Sequence, residues 1–271
     1  MGRSWRQSPL TGIGVLFGVT LAGLLLLPFF ALAISTPVSD LLEGATHPLF
    51  ASALFLSLRT TLTSLSLTVV LGTPLAWWLA SSSSKTDRVT EILTGLPIVI
   101  PPAVVGVALL QTFGREGLLG PALGSAGIAL PFTEISVVLA QIVVSAPFFI
   151  QAGAGAFREV RPEMLIVART LGGSPPVAFL RVALPIALPG LLVGASLAWA
   201  RALGEFGATL LFAGNMPGRT QTMPLAIFYA LESDVRLAIV FSLVLAAVGI
   251  LLLVTLRFFP ALRNFIRGSN A

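Results

Sequence analysis

Six apolar stretches, each of about the length needed to cross a bilayer at helical rise, dominate this chain of 271 residues. They run through residues 12–34, 53–80, 91–113, 135–157, 189–212 and 237–259. A backbone in hydrocarbon must satisfy its own N–H and C=O groups, so stretches of this length predict helices. The expected fold is therefore all-α and polytopic, six transmembrane helices in one domain over residues 1–271. Composition excludes the soluble alternative. Hydrophobic residues make up 56%, charged residues only 10%, and the mean hydropathy is +0.97, where soluble domains average roughly 25% charged. The chain has no cysteine, which rules out disulfides and thiolate metal sites, and the single histidine, His47, is given no metal role. The net charge of +5 comes without the clustered bases and aromatics of a nucleic-acid surface.

Charge asymmetry sets the orientation instead. With the N-terminus inside, the inner segments carry Arg3, Arg6, Lys85, Arg88, Arg158, Arg161, Arg169, Arg181, Arg257, Arg263 and Arg267, and the outer loops only Arg115, Arg219 and Arg236. This positive-inside bias places both termini in the cytoplasm, with most acids (Asp40, Glu43, Glu116, Glu134, Glu232, Asp234) outside. The start imitates a signal peptide, with two arginines before an apolar core and Ala31-Leu32-Ala33 after it. That core is longer than an h-region, so a retained first helix is expected. Trp5, Trp77 and Trp78 fall near the inner interface, and the Ser81–Ser84 run is read as a flexible turn.

The polar segment 158–189, on the predicted cytoplasmic side, carries the densest local signals. Pro162 and Glu163 suit the first turn of a short helix. Met164, Val167, Ala168 and Leu171 then follow at i, i+3, i+4, i+7, which gives one apolar face. Gly172-Gly173 provides a left-handed stop, Ser174-Pro175 a restart, and Pro185 and Pro189 are expected to break the chain before the fifth span. The skeleton Glu163, Ala168-Arg169, Gly172, Leu184-Pro185 and Pro189 resembles the EAA loop of binding-protein-dependent ABC importer permeases. That resemblance implies that Glu163, Met164, Val167, Ala168, Arg169, Leu171 and Gly172 form a cytoplasmic coupling helix between helices 4 and 5 that receives motion from a separate ATPase.

A P-loop requires GxxxxGK[ST], and the only lysine, Lys85, follows four serines, so no site of that type exists in the chain. No nucleophile, base and oxyanion-donor set is apparent, which predicts a non-catalytic subunit binding no cofactor, with ATP-Mg used by its partner. Besides Arg257 at the inner end of the last span, two arginines lie inside spans. Arg201 shares the fifth helix with Glu205, four residues on. Arg59 lies near the outer end of the second, where it either borders the path or snorkels to the interface. Gly190, Gly194 and Ala198 on the fifth helix have small-xxx-small spacing, suited to close helix packing. For Arg201 and Glu205 two readings compete, a structural or gating ion pair and a polar lining of the path. The first is favoured, because a carboxylate beside the path would repel an anion.

The run RALGEFGATLLFAGNMPGRTQTMPL, from Arg201 to Leu225, resembles molybdate and tungstate permeases, and the likeness extends over essentially the whole chain. Sulfate and thiosulfate permeases share its ALGE(F/Y)G core, but the Gly218–Thr222 continuation is closer to the molybdate type. The resemblance implies a homodimeric pore in the cell membrane, two cytoplasmic ABC ATPase subunits beneath it, and an extracytoplasmic oxyanion-binding protein that sets selectivity. No fused ATPase is expected after Pro260. Moving a dianion inward against 100 mV costs about 4.6 kcal/mol, at roughly 2.3 per charge, so an energy source is required. The rivals are a sulfate or thiosulfate ABC permease, an ion-driven secondary transporter, which would show inverted repeats that are not found, and a non-transporting membrane scaffold.

Overall fold

The computed structural model describes residues 9–81 and 84–268, all of whose regular structure is helical. The expectations for Arg3, Arg6, Trp5, Ser82 and Ser83 lie outside the described residues. Among the described residues five helices are long and apolar enough to cross a membrane, and a sharply bent pair brings the number to six.

Four expected spans appear with modest extensions: α1 (Pro9–Ile34), α3 (Pro48–Ser81), α7 (Glu134–Arg158) and α13 (Val235–Gly268). A short amphipathic helix, α2 (Val38–Thr46), separates α1 from α3. None of the α1 residues 13–34 is buried in the chain, whereas α7 is the most enclosed span and forms the spine of the bundle. Thr133 and Ser136 start α7 with a reciprocal capping box.

The third span departs from expectation. It is not one helix over 91–113 but two, α4 (Lys85–Val99) and α5 (Pro102–Phe113), bent by 114°. Apolar character continues through Ile100-Pro101-Pro102, but the backbone cannot. A residue before proline is pushed out of the helical region, and Ile100 and Pro101 are extended at ψ 129° and 137°. Pro102 then opens a new helix at a position where its missing N–H costs nothing. The Ser81–Ser84 run ends in order too: Ser84 caps α4, its hydroxyl accepting the Asp87 N–H and its own N–H donating to the Asp87 carboxylate at 2.8 Å.

The fifth span departs at both ends. Pro185 and Pro189 do not break it, because helix runs from Pro175 to Leu203 through α9 (Pro175–Ala178), a π turn (Phe179–Ala183) and α10 (Leu184–Leu203). The Leu184 N–H reaches back five residues to the Phe179 carbonyl. A π turn widens the helix just ahead of Pro185, where an α-helical turn would meet the proline ring. The helix then stops at Leu203, short of the expected Phe212. Gly204–Phe206 is irregular, and a separate α11 (Gly207–Ala213) follows. The loops carry two further helices absent from the sequence reading, α6 (Gly120–Ser125) and α12 (Met223–Ser233).

Small residues bring α7 and α10 together. A Cβ on Gly190 would lie 2.4 Å from the Ala156 Cβ, and one on Gly194 would lie 2.9 Å from the Ala152 Cβ. Continuing this antiparallel register puts Arg201 beside Ser145, halfway along α7. The end of α10 therefore sits at the middle of the bundle. There the two broken spans meet, since Gly207 packs on Pro102 and Ala103, and Gly106 on Leu211 and Ala208. Val105, Leu109, Ala140, Val144, Ala208 and Phe212 close a small core around α5, α7 and α11. A second core, of Leu79, Phe149, Ile150, Phe157, Ala187 and Leu191, fills the other half.

Candidate functional site

At the end of the bundle where α7 finishes, Pro162 starts α8 (Pro162–Thr170) with Glu163 in its first turn, as the spacing predicts. Gly172 takes φ +87°, the left-handed stop. Gly173 serves differently: its N–H donates to the Ala168 carbonyl at 3.0 Å, and a Cβ there would come within 2.6 Å of that oxygen. The Ser174 carbonyl receives the Ala178 N–H, while its side chain makes no capping bond. Glu163 lies 3.5 Å from Arg161, an exposed pair of little energetic weight, and Arg169 occupies the last turn of the helix.

No residue of α8 is buried. Met164, Val167 and Leu171 are 46%, 56% and 82% exposed, and with Ala168, Glu163, Arg161 and Val182 they line a shallow depression of about 420 Å³. Leu165 alone turns inward, packing on the core. The sequence thus places its predicted apolar face correctly, and the fold leaves that face uncovered. Behind it, Trp77 of α3 meets Phe157 of α7 edge-on and Phe179 of the π turn at a tilt, at centroid distances of 5.2 and 5.3 Å. Arg158 pairs with Glu91 at 3.0 Å, joining α7 to α4. These contacts fix the root of α8 to three spans. Neither the aromatic trio nor the Glu91 pair is readable from local spacing, since both join residues about 70 or more apart.

The middle of the bundle holds the second candidate. Arg201 Nη2 lies 2.7 Å from Glu205 Oε2, a contact of opposite charges off the axis of a straight hydrogen bond. Glu205 is 1% exposed, and its Oε1 accepts the Ala208 N–H at 2.7 Å. The carboxylate therefore has two tasks, holding Arg201 and satisfying an otherwise orphaned donor at the start of α11. The first task follows from i, i+4 spacing. The second depends on the break at Gly204–Phe206. Arg59 is not with them. It pairs with Glu134 at the far end of α7 and lies 5.5 Å from the centre of the Phe55 ring.

One buried feature escaped the sequence reading. Ser57, Thr60, Thr61, Ser64 and Thr68, all at most 2% exposed, form a polar stripe along α3. Ser57 accepts the Met223 N–H of α12 at 2.7 Å, Thr60 the Gln141 amide of α7 at 3.1 Å, and Thr61 the Trp199 indole of α10 at 3.1 Å. The signal was available in the i, i+3, i+4, i+7, i+11 recurrence of hydroxyls within an apolar span.

Comparison with known proteins agrees with this architecture. A molybdenum transport system permease protein, ModB, of Mycobacterium tuberculosis is 43% identical over 225 residues, covering 83% of this chain and 85% of the relative. A probable sulfate transport system permease of Nephroselmis olivacea is 32% identical over 234 residues, covering 86% and 80%. Among solved structures, a bacterial ABC transporter that imports alginate superposes with a TM-score of 0.71 over 94% of this chain and 95% of its own, at 17% identity, a likeness of fold. Residues 72–264 match the family of binding-protein-dependent transport system inner membrane components. The chain belongs to that family, as a multi-pass membrane permease of an ABC importer.

Proposed function

We infer that this chain is the pore subunit of an ATP-driven importer of molybdate, and that α8 is the surface through which a separate ATPase moves it. The observation that carries the coupling role is α8 itself, a short helix with one apolar face and no buried residue, closed by a left-handed glycine and rooted to three spans. An apolar face left open toward water on a short, anchored helix fits a partner's groove better than it fits solvent. The positive-inside count supports a cytoplasmic position for it, with both termini on the same side. Two copies would enclose the path, two ATPase subunits would bind ATP-Mg, and an extracytoplasmic binding protein would deliver the anion. The chain itself is assigned no cofactor and no catalytic residue.

Molybdate is favoured over sulfate by the resemblance of the Arg201–Leu225 run and by the 43% identity to a molybdenum permease against 32% to a sulfate permease. Proteoliposomes holding the complex, supplied with binding protein loaded with either anion, test both parts. Molybdate-loaded protein is expected to raise ATP turnover and drive uptake; stimulation by sulfate alone overturns the substrate, and a chain that co-purifies with no ATPase overturns the coupling role. Gly172→Asp should leave membrane insertion intact and abolish ATPase association or coupling.

A further inference from the structure

Arg201 and Glu205 touch each other but face different surroundings. Glu205 is enclosed, with Oε1 on the Ala208 N–H and Oε2 toward Arg201. The Arg201 side chain is 26% exposed, and Glu205 is its only partner among the described residues. A guanidinium has five N–H donors, so most of them point away from the pair. They do so on the open face of α10, where Val193, Leu197, Ala200 and Gly204 are exposed and offer only apolar groups or none. The helix register sets this half-open cation halfway along α7. A charge at that depth is costly against lipid and is found facing protein or a water-filled cavity.

We propose that Arg201 is an anion-contacting residue of the translocation path and that Glu205 is the positioning residue that aims it. This rests on the importer reading above and deepens it. The expected repulsion between a path carboxylate and an anion is offset, because the Glu205 charge is neutralised by its ion pair with Arg201 and its Oε1 is taken by the Ala208 N–H. What the open side meets is the free edge of a guanidinium, which matches two oxygens of a tetrahedral oxyanion. Glu205 also makes the pair neutral overall, so the dianion meets a directed hydrogen-bond donor without a deep electrostatic trap. A site on a path must bind weakly enough to release.

Because the chain has no cysteine, Arg201→Cys introduces a unique thiol. The test uses the complete complex in proteoliposomes with molybdate-loaded binding protein. Uptake should fall about tenfold or more, the loss of one charge-assisted contact. Aminoethyl methanethiosulfonate, which restores a cation, should recover uptake; the anionic sulfonatoethyl reagent should not, and free molybdate or tungstate should slow the modification. A thiol inert to both reagents, or recovery by both equally, overturns the proposal. Should that variant fail to assemble, Arg201→Lys and Arg201→Gln decide, since lysine must retain uptake that glutamine loses, with ATP turnover comparable in the two, and equal loss in both overturns it. The apolar pair Arg201→Met with Glu205→Met separates a structural role, and uptake above about half of wild type there sinks the anion contact. If the unmodified complex moves neither molybdate nor tungstate, the importer reading fails instead.

Discussion

Gly172 isolates backbone conformation from packing. Its φ is +87°, and a Cβ built there meets nothing within 4 Å, so an uncharged substitution is free of clash and differs in how readily it adopts a left-handed backbone, whereas Gly172→Asp also adds a carboxylate to the docking face. That conformation costs an ordinary residue roughly 1–2 kcal/mol, least for asparagine and most for a β-branched side chain. Only the last turn of α8 depends on this stop, where the Leu171 N–H bonds the Val167 carbonyl and the Gly172 N–H the Arg169 carbonyl. The cost therefore falls on the shape of α8 and leaves the spans alone. Gly172→Val should weaken ATPase docking by about 5–30-fold, the factor for 1–2 kcal/mol. Gly172→Asn should stay within about threefold of wild type. Titrating ATPase onto immobilised, detergent-solubilised permease measures both. Equal affinity for the two variants would refute the reasoning, as would a Val variant that reaches the membrane in reduced amount.

Two further perturbations probe the bundle. Gly190→Ala places a methyl 2.4 Å from the Ala156 Cβ and should cost about 1–3 kcal/mol by forcing α7 and α10 apart. Gly155→Ala, with open space around it, should leave the thermal midpoint unchanged or raised, and equal losses at both sites would show that the close approach is unimportant. Thr60→Val strands the Gln141 amide, whose oxygen is already without a partner, and should cost about 1–3 kcal/mol. Adding Gln141→Leu should recover most of that, and a double-mutant cycle showing simple additivity would contradict the pairing.

Where sequence and structure agree, the governing force is local. Bilayer-length apolar runs, Pro162 at a helix start and Gly172 at a helix stop act over one or two turns, and α1, α3, α7, α8 and α13 appear close to where periodicity puts them. Disagreement arises where hydrophobicity and backbone chemistry diverge. Hydropathy does not register Pro101-Pro102, so a 114° bend lies inside what reads as one span. It also overstates the prolines before α10, because a single π turn absorbs Pro185. At Gly204-Glu205-Phe206 apolar character masks a break whose only local sign is the glycine. The ion pair of Arg201 and Glu205 was legible from spacing, but the opposite exposure of its two halves was not, since that depends on how α11 folds back to place Ala208 over the carboxylate.

The two interruptions lie at a common depth and touch, Gly207 against Pro102 and Ala103, while Gly106 seats on Ala208 and Leu211. The contact ties α5 to α11, and because Ala140 and Val144 of α7 share their core, displacing one short helix disturbs the other and the spine of the bundle together. Spin labels on α5 and α11 should accordingly keep a constant separation through the transport cycle.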